Sequence, residues 1–546
     1  MNKYISARDY IFSNIRKNGF VIAVLSVLSI AASFISVFFA TVSKNVVDAA
    51  TKGTKEDFIN TIITVGVIIL IQLALQVTIA VISVVCENRI ILKNKRKLFG
   101  EILTKDMTKL QKFHTGELMN RINSDVYTVF DGVIDIVPVT LSLLSQLIFG
   151  FALLMKYDIL YAFIYMLALP LILLISKIFK SKIKEIHREV LESEGKVRSN
   201  IQENLLNILV VKAFCKEKNK KSLLKLLQKR NYCCIIRKNE VGIFANLLFS
   251  LLLTLGYCLT VIWGAYRIST GFYTFGTLVA MIELVSLVQS PLKSFSGIMP
   301  QYFSMLASSE RILEITEIEQ DFGNEPDVDA KALNANFEKI IINGVDFSYD
   351  EQKVLENYSA EIHKGEFVTL VGQSGIGKST LMKMLLGVLK PQNGNITVMC
   401  KDRQYFIGAK TRPLFSYVPQ GNMIFSGSIK DNITFAEENP DLNLLEKAIK
   451  TACFEDVIKE QENGIETKLG ENGTGLSEGQ NQRLAIARAV YNNTEVILLD
   501  EATSALDEET ACIVLENLKA LGKTIIMISH TSEAKETSDI TLTLKK

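Results

Sequence analysis

Hydrophobic and polar positions divide this chain into two unlike halves. In the first 300 residues the apolar positions run in long blocks. Phe20 to Val42 carries no charge and is long enough to cross a bilayer. Comparable blocks lie at 58–86, 136–155, 159–176, 241–266 and 271–292, which predicts six membrane-spanning helices. The segments after the second and fourth blocks contain few Gly or Pro and read as helical extensions of the spans, with a break expected near Gly116. From about Ile340 the pattern changes to short apolar runs alternating with helical periodicity, as expected of a soluble α/β domain. Its clearest strands are Phe367 to Val371, Val496 to Glu501 and Thr524 to Ile528. A helix is predicted over Thr380 to Leu389, with Leu381, Met384, Leu385 and Val388 on one face. Between the halves, Glu317 to Asp329 is acidic and holds Gly323 and Pro326, so it reads as a linker. The predicted organisation is a membrane domain over 1–315, a linker over 316–338 and a soluble domain over 339–546.

Charge orients the first half. Six spans put both chain ends on one side. Lys3, Arg8, Arg16 and Lys17 precede the first span, and Arg89, Lys93, Lys95, Arg96 and Lys97 follow the second. Lys177, Lys180, Lys182, Lys184 and Arg188 follow the fourth. Cations gather on the cytoplasmic side, which places both termini and the soluble half there and predicts a multi-pass protein of the plasma membrane. The first span is too deep and too long for a cleaved signal peptide, so it is expected to be retained. The formal net charge of the whole chain is only +2, and no nucleic-acid partner is expected. Eight scattered cysteines lack paired metal-ligand spacing and are expected as free thiols.

The chemistry lies in the second half. Gly372-Gln-Ser374-Gly375-Ile-Gly377-Lys378-Ser379-Thr380 follows a predicted strand and opens a helix, the context a phosphate-binding loop requires. Glycines let backbone N–H groups turn toward phosphate oxygens, and the helix start adds a positive dipole end. Lys378 suits the β- and γ-phosphates, and the Ser379 hydroxyl suits Mg²⁺. Val496-Ile-Leu-Leu-Asp500-Glu501 is a buried strand ending in two carboxylates, one for the metal and one to polarise an attacking water. His530 follows another strand at its C-terminal end, where α/β sheets place ligands. Gln420 offers an amide to sense metal or water, and Tyr349 a ring face on which adenine stacks. Ser477 and Gln480 have capping-box spacing at a helix start where Gly479 leaves N–H groups open to an anion. In the membrane half, Glu283 lies midway along the sixth block, where a carboxylate costs at least ~2.5 kcal/mol and marks a function. It is expected to face the cavity and touch a cationic substrate or a proton. Gln72, Gln76, Gln146 and Gln289 are scattered among the apolar positions of the spans.

These residues together resemble, in order, the Walker A, Q-loop, signature, Walker B, D-loop and H-switch of ABC-transporter ATPase domains: Gly372–Thr380, Gln420, Leu476–Gln480, Asp500-Glu501, Ser504-Ala-Leu-Asp507 and His530. Gly276-Thr-Leu-Val-Ala280, Pro291-Leu292 and Ser308-Ser-Glu-Arg-Ile312 are similar to the exporter-type (type IV) transmembrane domain of the same family. The resemblance implies a half-transporter that binds ATP and Mg²⁺ and pairs with a second subunit. Each ATP would lie between one chain's Walker A and the other chain's signature. It also implies coupling helices near His114–Arg121 and Glu203–Leu209, with Glu471 as the acid that contacts them. Two departures accompany it. Glu478 replaces the first of the two glycines in the usual signature, and the chain ends sixteen residues after His530. No leader-cleaving module is expected before the first span. The expected activity is export of a lipid, peptide or amphipathic compound. The alternatives are an ATP-gated channel or regulator, one half of a heterodimeric exporter, and, less in keeping with the long cytoplasmic extensions, an importer.

Overall fold

The computed structural model describes residues 6–321, 329–349, 352–373, 375–401, 403–421, 423–470, 473 and 475–544, without the side chains of 167–184, 187, 245, 293 and 296. The chain forms two compact units, one of Met1–Lys97 with Met119–Leu313, the other of Leu98–Leu118 with Glu314–Lys546.

The first unit is helical. A short helix, Ala7–Lys17, is capped by Ser6, whose hydroxyl accepts from the Asp9 N–H. Six long helices follow: α1 (Gly19–Lys52), α2 (Lys55–Leu103), α3 (Val126–Tyr157), α4 (Ile159–Leu206), α5 (Glu217–Ser269) and α6 (Phe275–Thr316). Among the described residues, five apolar helical stretches long enough to cross a bilayer fall on α1, α2, α3 with the helical segment from Thr115 before it, α5 and α6. The predicted span over 159–176 lies in α4, mostly outside the described side chains. At 1.5 Å per residue, the 49 residues of α2 and 53 of α5 extend about 70–80 Å, far beyond a ~30 Å hydrocarbon layer. The excess length is the predicted polar extension. The break expected near Gly116 lies at 111–114, just before the short helix Thr115–Asn120 that holds Gly116, and the chain also turns at 104–106. Asp106 is the reason, since its carboxylate caps the short helix Met107–Leu110 through the Thr108 and Lys109 N–H groups.

One buried carboxylate organises the short connection between α3 and α4. Asp158 caps α4 through the Leu160 and Tyr161 N–H groups and also accepts from Trp263, Arg267 and Tyr273. Five donors compensate a carboxylate that would otherwise be costly to bury.

In the second unit a parallel sheet of five strands has the order β11–β3–β10–β9–β6, from Ile540–Thr543, Phe367–Val371, Thr524–Ile528, Val496–Asp500 and Phe415–Val418. The predicted limits of β3 and β10 match the observed ones, and β9 ends at Asp500, one residue short of the predicted Glu501. Both faces of the sheet are buried, so these strands read as unbroken apolar runs. Ile497, Leu499, Ile525 and Met527 point into one core with helix α8 (Glu478–Tyr491). Leu498, Ile526 and Ile528 alternate into a second core with helix α7 (Lys378–Leu385). That second core is closed by an antiparallel sheet of order β2–β1–β4–β5, from Gln352–His363, Phe337–Tyr349, Asn393–Cys400 and Arg403–Phe406. A two-stranded pair, β7 (Gly427–Ser428) and β8 (Lys468–Leu469), completes the strands. Helix α7 begins at Lys378 and ends at Leu385, earlier at both ends than predicted, because Gly377 supplies the turn that starts it. Within the linker, Ala330–Asn336 is helical, and β1 begins at Phe337.

Candidate functional site

Four strands of the parallel sheet deliver residues to its C-terminal edge. β3 runs into Gly372, β9 ends on Asp500 and Glu501, β10 leads to Ser529 and His530, and β6 leads to Gln420. Parallel strands end at one edge, so residues as far apart in sequence as Gly372 and His530 meet there.

The loop after β3 is built for close approach. Gly375 and Gly377 hold φ of +79° and +108°, and a Cβ on Gly377 would stand 2.4 Å from Val354 Cγ1 on β2. Only glycine fits that turn. Ser374, part of the predicted phosphate cradle, lies outside the described residues, as does Glu471. Lys378 is buried, and its ammonium donates to the carbonyls of Gly372 (2.7 Å) and Gln373 (3.2 Å). Its charge is therefore held inside the loop, among the backbone groups that would face a phosphate. Thr380 is buried on the same first turn of α7.

Asp500 is 3% exposed and takes two hydroxyl donors, Ser379 on Oδ1 (3.2 Å) and Tyr417 on Oδ2 (3.3 Å). Burial pushes its carboxyl above the ordinary value, and the neighbouring Glu501 charge pushes the same way, against the two hydroxyl donors. Burial and the Asp500 charge likewise push the Tyr417 phenol up. Glu501 has φ +54°, a left-handed conformation that turns the chain sharply after β9. Gln420 Nε2 donates to Glu501 Oε2 at 2.9 Å, and His530 Nε2 stands 4.0 Å from Glu501 Oε1. Gln420, Glu501 and His530 are thus brought together, and Ser379 joins Asp500. Tyr349 ends β1, is 46% exposed, and packs edge-on against Phe347.

The start of α8 is the predicted capping box. Ser477 Oγ accepts from the Gln480 N–H (3.2 Å), and Gln480 Oε1 accepts from the Ser477 N–H (2.8 Å). The Gln480 side chain is thereby turned back on the helix. Gly479 lies where a Cβ would be 2.7 Å from the Ala505 carbonyl oxygen, whereas Glu478 is exposed. In the first unit, Glu283 is half-buried on α6 and lies near Ser43 of α1.

Sequence reasoning missed two residues at this edge. Tyr417 reads as one more aromatic in a strand, and Gln482 as a polar position on an otherwise apolar helix face. The only signal for Gln482 was its spacing of three from Gly479, which puts both on one side of α8.

Comparisons with known proteins agree with this layout. Residues 22–292 match the family model for the ABC transporter transmembrane region, and residues 355–504 match the model for ABC transporter. A putative export ATP-binding/permease protein of Rickettsia felis is 28% identical over 97% of this chain and 92% of its own length. ABC transporter B family member 1 of Dictyostelium discoideum is 30% identical over 81% of this chain, which spans about half of that relative (49%). The lactococcin-A transport/processing ATP-binding protein of Lactococcus lactis subsp. lactis is 28% identical over 87% of this chain and 67% of its own length. Among solved structures, a bacterial Atm1-family ABC exporter with ATP bound superposes with a TM-score of 0.81 at 21% identity, covering 97% of this chain and 94% of that one. That last likeness speaks for the fold alone.

Proposed function

Because the chain belongs to the ABC transporters, with that family's transmembrane region and ATP-binding domain in one polypeptide, we propose that it is a membrane exporter driven by ATP hydrolysis and acting as a dimer. The observation that carries the reading is the meeting of Lys378, Ser379, Asp500, Glu501, Gln420 and His530 at one sheet edge, in a chain that also bears long apolar helices. Each ATP would bind the Gly372–Thr380 loop of one chain and the Ser477 helix start of the other. Tyr349 would take the adenine, and Gly375, Gly377 and Lys378 the phosphates. Ser477, Gly479 and the first N–H groups of α8 would close on the γ-phosphate.

Glu501 is the group to polarise the attacking water. Gln420 donates to it, and His530 lies within reach of its second oxygen, so both orient the carboxylate. Ser379 and Asp500 form an all-oxygen pair that suits a small hard cation, and with Gln420 they would hold Mg²⁺, which when bound offsets phosphate charge. Hydrolysis at the two composite sites would alternate an inward- and an outward-open cavity, and a difference in substrate affinity between the two states would couple transport to ATP. The protein is multi-pass. The Lys/Arg pattern supports cytoplasmic termini and a cytoplasmic ATP-binding domain in the plasma membrane. The apolar spans suit a lipid, a peptide or an amphipathic compound, and the relatives named for export and for lactococcin transport support that direction of movement.

Two experiments test this. Glu501→Gln should nearly abolish hydrolysis while ATP remains bound, and wild-type turnover in that variant would refute the assigned role. Accumulation of substrate in inverted vesicles separates a pump from an ATP-gated channel, which concentrates nothing. A second reading rests on Glu478: a carboxylate in the signature suits a chain that pairs with a different half-transporter and hydrolyses ATP against that partner's signature. We favour the homodimer, because Ser477, Gly479 and Gln480 are all in place and the Glu478 side chain is exposed.

A further inference from the structure

Gln482 is 4% exposed and uses its amide at both ends. Nε2 donates to Ser504 Oγ at 2.9 Å and reaches the Glu501 carbonyl at 3.4 Å, while Oε1 accepts from the Ala505 N–H at 2.9 Å. Gly479, one turn earlier on the same face, is pressed against the Ala505 carbonyl, where a Cβ would come within 2.7 Å. These two residues seat the first turn of α8 on the loop 501–505. Within that loop Ser504 Oγ donates to the Glu501 carbonyl at 2.9 Å, and the Glu501 N–H donates to the Ile528 carbonyl at 3.1 Å. Glu501 itself holds φ +54°, which a residue with a Cβ keeps only where its surroundings over-determine it.

We infer that Gln482 is a positioning residue for ATP hydrolysis. By holding Ser504 and Ala505 it keeps the left-handed turn that aims the Glu501 carboxylate, and it ties that turn to the helix start at Ser477. Its described side-chain hydrogen bonds all go to the loop 501–505, so it acts on turnover through Glu501 and leaves ATP binding at the Gly372–Thr380 loop alone. There is a second consequence, which rests on the dimeric reading above. The Ser477 end of α8 meets the ATP held by the other chain, whereas Glu501 serves the ATP of its own. Gln482 then transmits occupancy of one site to the water-activating carboxylate of the other.

The test uses the full chain in nanodiscs, with ATPase kinetics and ATP titration calorimetry on wild type, Gln482→Met and Gln482→Glu. Gln482→Met removes all three bonds and should lower kcat by about tenfold or more, with KM and the ATP dissociation constant within about threefold. The Hill coefficient for ATP should fall from above one to one. Gln482→Glu keeps the acceptor for Ala505 and loses the donor to Ser504, so its kcat should lie between the two. Because a buried Met could unfold the domain, Ser504→Ala serves as a second variant: it removes one partner of the same link from an exposed position and should lower kcat at constant KM. A kcat within about twofold of wild type in Gln482→Met, or a loss that appears in KM and the dissociation constant, overturns the inference. A wild-type chain without ATPase activity would instead sink the proposed function. A wild type with a Hill coefficient of one would sink the link between sites, with the kcat comparison still deciding the role of Gln482.

Discussion

Glu478 and Gly479 are adjacent, yet they have opposite freedom to change. A Cβ at Gly479 would meet a backbone carbonyl at 2.7 Å, and backbone cannot swing aside as a side chain does. Gly479→Ala should therefore push α8 off the loop that carries Glu501 and lower the ATPase rate by about tenfold or more, with little change in ATP affinity. Steady-state kinetics on the purified chain checks this. Glu478 has an exposed side chain, so Glu478→Gly should change the rate by less than about threefold, worth ~0.65 kcal/mol of barrier. A gain of about tenfold would show that the carboxylate blocks the site, since like charges ~4 Å apart cost about 1 kcal/mol even in water. That result would favour the heterodimer. At the phosphate loop, Lys378→Ala should weaken nucleotide binding by removing the point charge nearest the phosphates. Unchanged binding by calorimetry would contradict it.

Two elements of the second unit are stitched by charges that a strand or helix pattern does not show. Just before β9, Glu495 pairs with Lys523, next to the start of β10, at 2.7 Å and with Lys364 at 3.3 Å. Burial pushes this carboxyl up from its ordinary 4.5, but the two ammonium groups overcome it and hold the group below. A depressed carboxylate contributes stability that is present above the unfolded value and lost as pH falls through the folded one. Glu495→Gln should thus lower the melting temperature of the full chain near neutral pH by 2–4 °C per kcal/mol, for a pair worth about 1 kcal/mol. The difference should close as the medium is acidified below the carboxylate range. A gap that persists there would rule out the ion pair as its cause. The other stitch is at the end of α6. Lys105 is buried and donates to the carbonyls of Thr316 and Ile318 at 2.7 and 2.6 Å, while Asp106 N–H and Asp321 N–H extend the contact along the backbone. Helix ends leave carbonyls without partners, and a Lys is one of the groups that satisfy them. Lys105→Met should cost about 1–3 kcal/mol by removing its buried hydrogen bonds to those carbonyls, visible as faster limited proteolysis at 314–321. Proteolysis at the wild-type rate would show that the stitch contributes little.

For the molecule as a whole, the open quantity is how ATP turnover reaches the spans. Glu283 is half-buried on α6 and lies near Ser43 of α1. If it also meets a cationic substrate or a proton, Glu283→Gln should alter substrate-stimulated ATPase and its pH profile. If its role is structural, only stability should fall.

The membrane half was legible because bilayer crossing imposes a length and an apolar content that any 20-residue window reveals, and α1, α2, α3, α5 and α6 carry such stretches. The strands β3, β9 and β10 were legible because a sheet buried on both faces writes unbroken apolar runs. The Ser477–Gln480 cap could be read because both partners lie within one turn. What the tertiary structure alone decided are the contacts with no period in the chain. Asp158 reaches Trp263, Arg267 and Tyr273 across more than 100 residues, Lys105 reaches Thr316 across 211, and Tyr417 reaches Asp500 across 83. Gln482 is only 23 residues from Ala505, yet its role was equally hidden. A single polar side chain announces its partner only when the folded chain brings an unpaired donor or acceptor against it, and the free energy of that meeting comes from burial, which a sequence does not display.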